Sequence, residues 1–505
     1  MKRIIKYAAM MLPLLAITFT SCEDALETKN FTEMSPNNFF KSEGDIDAAV
    51  TGLYVPLTTT WGYSDGGTGR WYPSLFCADG STYRSAGHYG TDEITTYSVN
   101  AFDEFTVGAA NGTLAAAYNA IRFVARATDV INQIGLSSGG TEEVRARYIA
   151  EVKTLRAYYM YLLFDWFGPL NVKLDAATLM DNTITPRPTH EEYVGYMLDD
   201  LNAAVNESSF PVKYNDDNSN WGRMSKSVAW SILVKIYMHE YEWSKAKEAA
   251  EKVMGMGYTL VANYEDLFNH DRQPEHIFSV PANTASDNYY VAEVLPNDFK
   301  KGYNHLGSSY IRGSEDNYKA GWQAYGMRWE FYDTFEDNDA RKATILCSYT
   351  TNAGTTKDRN TGMRLAIPLK YTDTQFNDFG CQKSMPVIRY AEILLSYAES
   401  VNEISGPTSE AIAAVKQVTD RAGVSIPQSA TNDKDSFRSF LLAERGRELF
   451  GEGVRREDLI RHGEFIKRAV ARGAKAQDYM VLYPIPQSVI TEAGGIIKQN
   501  AGYPE

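Results

Sequence analysis

The chain has 505 residues, a formal net charge of −14, 44% hydrophobic residues and 23% charged ones. That balance is globular and excludes a disordered chain. An acid excess without a Lys/Arg cluster excludes nucleic acid as a partner and disfavours anionic lipid surfaces.

Lys2, Arg3 and Lys6 form a basic head, followed by an apolar run from Tyr7 to Phe19 and then Thr20, Ser21 and Cys22. A basic head, an apolar stretch and small residues before a cut site describe a secretory leader. The run is shorter than the about 20 apolar residues a membrane-spanning helix needs. A cysteine placed directly after the small residues is the pattern of a bacterial lipoprotein signal. Residues 1–21 are therefore read as leader, and Cys22 as the lipidated first residue of the mature chain. Losing Lys2, Arg3 and Lys6 takes the formal charge from −14 to −17. The remaining cysteines, Cys77, Cys347 and Cys381, form no disulfide framework, although one pair among them is open.

Helical periodicity dominates the rest of the chain. Leu114, Tyr118, Ile121 and Ala125 share one face of a helix. Gly139-Gly140 make a turn, and Thr141 is placed to cap the next helix. Val144, Tyr148, Val152, Leu155, Tyr159, Leu162 and Trp166 stripe that helix, which Gly168-Pro169 ends. Two more pairs are expected: Ser225–His239 with Trp243–Met254, and Val387–Glu403 with Ser409–Ala422. Ala246, Ala249 and Ala250, and likewise Ala411 and Ala414, are small enough for close helix approach. A last long helix is expected over Phe437–Leu449. Residues 55–112 and 281–385 are rich in Gly, Ser, Thr and rings, and read as irregular loops with short strands. The spacing thus predicts a mostly α fold: a tetratricopeptide-like helical scaffold carrying two long loop regions.

Five segments carry a family resemblance. They are the leader through Cys22; Glu151-Val152-Lys153-Thr154-Leu155-Arg156-Ala157-Tyr158-Tyr159 running on to Phe167-Gly168-Pro169-Leu170; Arg389-Tyr390-Ala391-Glu392-Ile393-Leu394-Leu395 with Tyr397-Ala398-Glu399 and Asn402-Glu403; Glu444-Arg445-Gly446-Arg447-Glu448-Leu449-Phe450 with Glu452-Gly453 and Arg455-Arg456-Glu457-Asp458-Leu459; and Leu482-Tyr483-Pro484-Ile485-Pro486 with Gln499-Asn500-Ala501-Gly502-Tyr503. In this order and spacing the chain resembles the SusD/RagB nutrient-binding outer-membrane lipoproteins. It departs from that pattern at Ala501, where the family has proline, and at Arg456, where an aromatic is common.

The resemblance implies four tetratricopeptide-like units, a lipid anchor on the outer membrane facing outward, and a SusC-type TonB-dependent barrel transporter as partner, which the lipoprotein caps as a hinged lid. The parts 22–265 and 266–505 would form one integrated unit. Glycans are the usual cargo, with peptides in one branch. Glu23, Asp24 and Glu27 resemble an acidic surface-export tag, and equally fit a solvated linker.

A sugar site needs flat rings and hydrogen-bonding groups. The first loop region offers Tyr83 and Tyr89 as platforms, with Arg84 and His88 as hydrogen-bonders. The second offers Tyr290, Trp322 and Tyr325, with Asn288. Trp329, just before Phe331 and Tyr332, reads as core. Asn215-Asp216-Asp217-Asn218 lacks the alternation of a calcium loop and reads as a solvated turn. Glu336-Asp337-Asn338-Asp339 reads as a capped turn with salt links to Arg341. P-loop and His-Glu-x-x-His motifs are absent, and nothing implies a metal or cofactor. The expectation is a glycan-binding surface lipoprotein without catalysis. Peptide binding is the alternative and a surface glycosidase a remote one, since 64 acids supply carboxylate pairs by chance.

Overall fold

The computed structural model describes residues 40–58, 90–98, 101–281, 294–300, 321, 323–370, 376–377, 380–381 and 384–504. Its helices are α1 (Glu43–Thr51), α2 (Val55–Thr58), α3 (Gly112–Tyr118), α4 (Ile121–Leu136), α5 (Glu142–Phe167), α6 (His190–Asn206), α7 (Lys226–His239), α8 (Trp243–Met254), α9 (Asp266–Asn269), α10 (Trp329–Tyr332), α11 (Tyr390–Ser405), α12 (Ser409–Ala422), α13 (Lys434–Leu449), α14 (Arg455–Arg461), α15 (Phe465–Ala471) and α16 (Gln487–Glu492). Its strands are β1 (Ile94–Thr96), β2 (His276–Val280), β3 (Tyr325–Met327), β4 (Ile345–Leu346), β5 (Ser348–Thr350), β6 (Thr356–Asp358), β7 (Ile367–Pro368), β8 (Phe376–Asn377), β9 (Gly380–Cys381) and β10 (Met385–Arg389). All pair antiparallel in two-stranded ribbons: β1 with β3, β2 with β10, β4 with β7, β5 with β6 and β8 with β9. The fold is the helical scaffold the periodicity predicts, with most of the short strands inside the loop regions and the β2–β10 ribbon at the margin of the second. No helix among the described residues is long and apolar enough to cross a membrane.

The caps explain most helix bounds. Thr141 accepts from Val144 N to start α5, and Gly168, at φ +71, ends it. Thr408 caps α12 and Gly423 closes it in the left-handed region. Helix α8 runs over the expected residues, and its buried Ala246, Ala249 and Ala250 let it lie close to α7 and α11. Helix α13 starts earlier than expected, because Asp433 caps it through Ser436 N.

Three expectations need correction. The stripe from Leu114 to Ala125 is shared by two helices, α3 and α4. Between them the backbone tightens to three-residue bonds, with Ala120 N donating to Ala117 O and Phe123 N to Ala120 O. Val387 lies on strand β10, not on a helix. Arg389 is still extended, at φ −137 and ψ 161, and α11 begins only at Tyr390, whose N–H donates to Glu275 O. Helix α6 is not among the helices the periodicity predicts, although Thr189 and Glu192 form a capping box at its start.

The quoted family segments that follow the leader supply much of the buried electrostatic skeleton. On α5, Arg156 makes a two-pronged pair with Asp200 of α6 (2.7 Å each), and Glu151 takes Arg223 Nε at 2.8 Å and Tyr54 OH at 2.7 Å. Arg389 reaches Glu275 (2.8 Å), Glu448 (2.5 Å) and Glu452 (2.7 Å). Arg445 pairs with Asp458 at 2.9 Å. Arg456, at the position where an aromatic is common, donates to Asp165 at 2.8 Å and lies 5.0 Å from the Tyr483 ring. Tyr483 in turn packs on Trp166, 4.9 Å between centroids, and its N–H donates to Trp166 O. The capped-turn reading of Asp339 holds: it caps a 3-10 turn and pairs with Arg341 at 2.8 Å. Asp217 likewise closes a turn by accepting from Ser219 N and Asn220 N.

The core is one cluster running from Ile46 to Ile497, with a small satellite of Phe105, Leu442, Leu459, Phe465 and Ala469. Trp329 belongs to the main cluster at 8% exposure, as the sequence suggests, with its indole N–H donating to Met363 O at 3.0 Å. Cys347 carries no disulfide.

Candidate functional site

Of the residues singled out for ligand contact, Tyr83, Arg84, His88, Tyr89, Asn288, Tyr290 and Trp322 lie outside the described residues, as does Cys22. Tyr325 is described. It is half-buried on β3, directly opposite Thr96 of β1. The β1–β3 ribbon therefore joins the two loop regions expected to hold ligand, although they are more than 200 residues apart in sequence.

Beside that ribbon is a cavity of about 410 Å³. Thr95, Thr96 and Asp103 line one side, and Arg328, Trp329 and Arg364 another; Arg472 comes from the segment after α15. Tyr325 does not line it. Asp103 organises the first wall, accepting from Gly90 N (2.9 Å), Thr95 Oγ1 (3.0 Å) and Thr96 Oγ1 (3.2 Å). Arg364 donates to Thr96 O at 2.8 Å and lies 5.0 Å from the Tyr97 ring. Arg472 donates to Gly90 O at 2.6 Å. Burial in the cleft, and then the neighbouring charge of Arg328, push the Arg472 guanidinium down to about 10. The ring-rich loops are thus accompanied by arginines that the sequence pattern does not single out. Arg472 in particular is remote from both loop regions, and no local signal connects it to them.

A second cavity, about 390 Å³, lies among α5, α7, α11 and α14. Its polar groups are satisfied within the protein. Lys235 Nζ sits 2.6 Å from both Glu392 and Glu457. Burial would lower its pKa, but the two carboxylates prevail and raise it. Glu240 accepts from His190 Nε2 (2.6 Å) and His239 Nδ1 (2.8 Å). Arg461 is held by Glu399 at 2.7 Å. With its charges already paired, this cavity offers a ligand less than the first does.

Residues 274–503 match the SusD family. Over its length the chain is 25% identical to SusD-like protein P2 of Formosa agariphila, covering 99% of this chain and 100% of that one. It is 23% identical to the starch-binding protein SusD of Bacteroides thetaiotaomicron, over 73% of this chain and 75% of that one. In fold it is similar to surface glycan-binding protein A from Bacteroides thetaiotaomicron in complex with laminarihexaose, with a TM-score of 0.68, 21% identity, and coverage of 91% of this chain and 100% of that one. The helical scaffold and the near-full-length likeness agree with that match: residues 274–503 belong to the SusD family, and the chain as a whole is similar to SusD-like proteins.

Proposed function

We propose that this chain is a cell-surface glycan-binding lipoprotein that captures oligosaccharide and passes it to a SusC-type TonB-dependent barrel transporter, which it caps as a lid. The observation that carries this reading is the likeness to the starch-binding protein SusD along most of both chains. The leader and Cys22 support attachment to the outer membrane by lipid alone, with parts 22–265 and 266–505 moving as one unit. In this reading Tyr83, Tyr89, Tyr290 and Trp322 are stacking platforms, Arg84, His88 and Asn288 hydrogen-bond the sugar, and Tyr325 stands at the edge of the cleft. Stacking contacts that are weak one by one suit a cargo that must be released, and the tether and lid supply avidity.

The test is a panel of oligosaccharides and a peptide pool offered to the purified mature chain, with product analysis after long incubation. Glycan retained without hydrolysis is expected, weakened by Tyr89→Ala and Trp322→Ala. Peptide binding with no glycan binding, or release of hydrolysis products, would overturn it.

A further inference from the structure

We propose that the cavity beside β1 and β3 binds an anionic substituent of the glycan, a carboxylate or a sulfate ester, through Arg328, Arg364 and Arg472. This rests on the glycan-binding reading and narrows it to acidic oligosaccharides.

The reason is what these arginines lack. Several buried arginines elsewhere in this chain are matched to carboxylates: Arg156 to Asp200, Arg223 to Glu151, Arg389 to Glu448, Arg455 to Asp92. Arg328, Arg364 and Arg472 line one cavity, and none has an ion pair among the described residues. Arg364 and Arg472 each donate to a neutral backbone carbonyl, Thr96 O and Gly90 O. Arg328 Nε is buried and has no acceptor among the described residues. A buried donor without a partner costs free energy that a bound acceptor returns. The guanidinium fork matches the paired oxygens of a carboxylate or sulfate, and such charge-assisted bonds are about twice as strong as neutral ones.

The acids in the same wall do not cancel this. Asp103 is spent on Gly90, Thr95 and Thr96. Glu104 and Glu330 are exposed and stay in water. The chain's net charge of −14 opposes an acidic ligand at long range. That opposition is screened beyond about 8 Å at physiological salt, whereas contacts inside the cleft are screened less. Thr95, Thr96 and Ser98 add hydroxyls suited to the sugar's own OH groups.

Titration calorimetry of the mature chain would use three probes: oligogalacturonate for carboxylate, chondroitin sulfate oligosaccharides for sulfate, and laminarin as the neutral control. Arg364→Gln and Arg472→Gln are compared with the parent, each checked for an unchanged melting temperature. Arg364→Lys, which keeps the charge and loses the fork, is included. At least one acidic probe should bind tighter than laminarin, with affinity falling about tenfold in each Gln variant, less in Arg364→Lys, and weakening as salt rises. The acidic probe that responds identifies the anion. Laminarin binding with neither acidic probe bound overturns the anion subsite and leaves glycan binding standing. Acidic binding that both Gln variants retain in full also overturns the subsite. Failure of all three probes to bind counts against the glycan reading itself and this inference with it.

Discussion

Lys370 Nζ lies 2.8 Å from Glu452 Oε1 deep inside the protein, its side chain fully buried and that of Glu452 only 3% exposed. The ammonium is 3.8 Å from the Phe450 ring centroid, and Arg389, also bound to Glu452, shares the site. Burial drives the Lys370 pKa down to about 7, against the pull of Glu452. In the unfolded chain lysine keeps its proton to about 10.4. The unfolded state therefore binds more protons between these values, and stability rises with pH across that window. Chemical denaturation at pH 7 and pH 9.5 should show an increment on the order of 1–3 kcal/mol that Lys370→Met lacks. A parallel pH profile in the two proteins would refute it.

Glu448 behaves oppositely. Burial would raise its pKa, but Arg421, Arg389, Arg341 and Lys370 outweigh burial and hold it at about 2. Its stabilisation is full above about 4.5 and lost as pH falls toward 2. Glu448→Gln should flatten acid unfolding in that range while lowering stability at neutral pH, because Arg341, Arg389 and Arg421 lose a shared partner. Circular dichroism followed from pH 6 to pH 2 reads both effects.

Arg156→Ala leaves Asp200 charged and buried at 5% exposure. The expected loss is about 3–5 kcal/mol in urea denaturation, since a broken buried pair costs more than the pair itself contributes. Replacing both, Arg156→Met with Asp200→Leu, should recover most of it.

Gly502 tests the terminal segment. At φ +90 it faces Tyr479, and a Cβ there would sit 2.3 Å from the ring. Gly502→Ala should cost about 1–3 kcal/mol. Gly494, at φ +55 with open space around it, should lose at most about 1 kcal/mol on the same change. Thermal melts of the two variants separate the crowding from the backbone preference.

Cys22→Ala should leave the ligand affinity of the purified chain unchanged and move the protein from the membrane fraction to the soluble one. Fractionation of expressing cells checks this, and a variant still sedimenting with membranes would refute the lipid tether.

Local chemistry made much of the scaffold legible. Thr141 and Gly168 bracket α5, the alanines of α8 announce a close contact, and Asp339 with Arg341 reads as a capped turn, because caps and helix faces act within about four residues. The same locality explains the errors. Val387 continues the helical stripe of α11 in sequence, yet pairing of β10 with β2 and the pull of Glu275 and Glu448 on Arg389 keep it extended. The Leu114–Ala125 stripe is a correct burial pattern carried by two helices. What only the tertiary structure decided is which distant groups meet: Thr96 with Tyr325 across β1 and β3, and Arg328, Arg364 and Arg472 around one cavity. Such meetings depend on how the helices and ribbons pack. No periodicity within one segment encodes a neighbour from another.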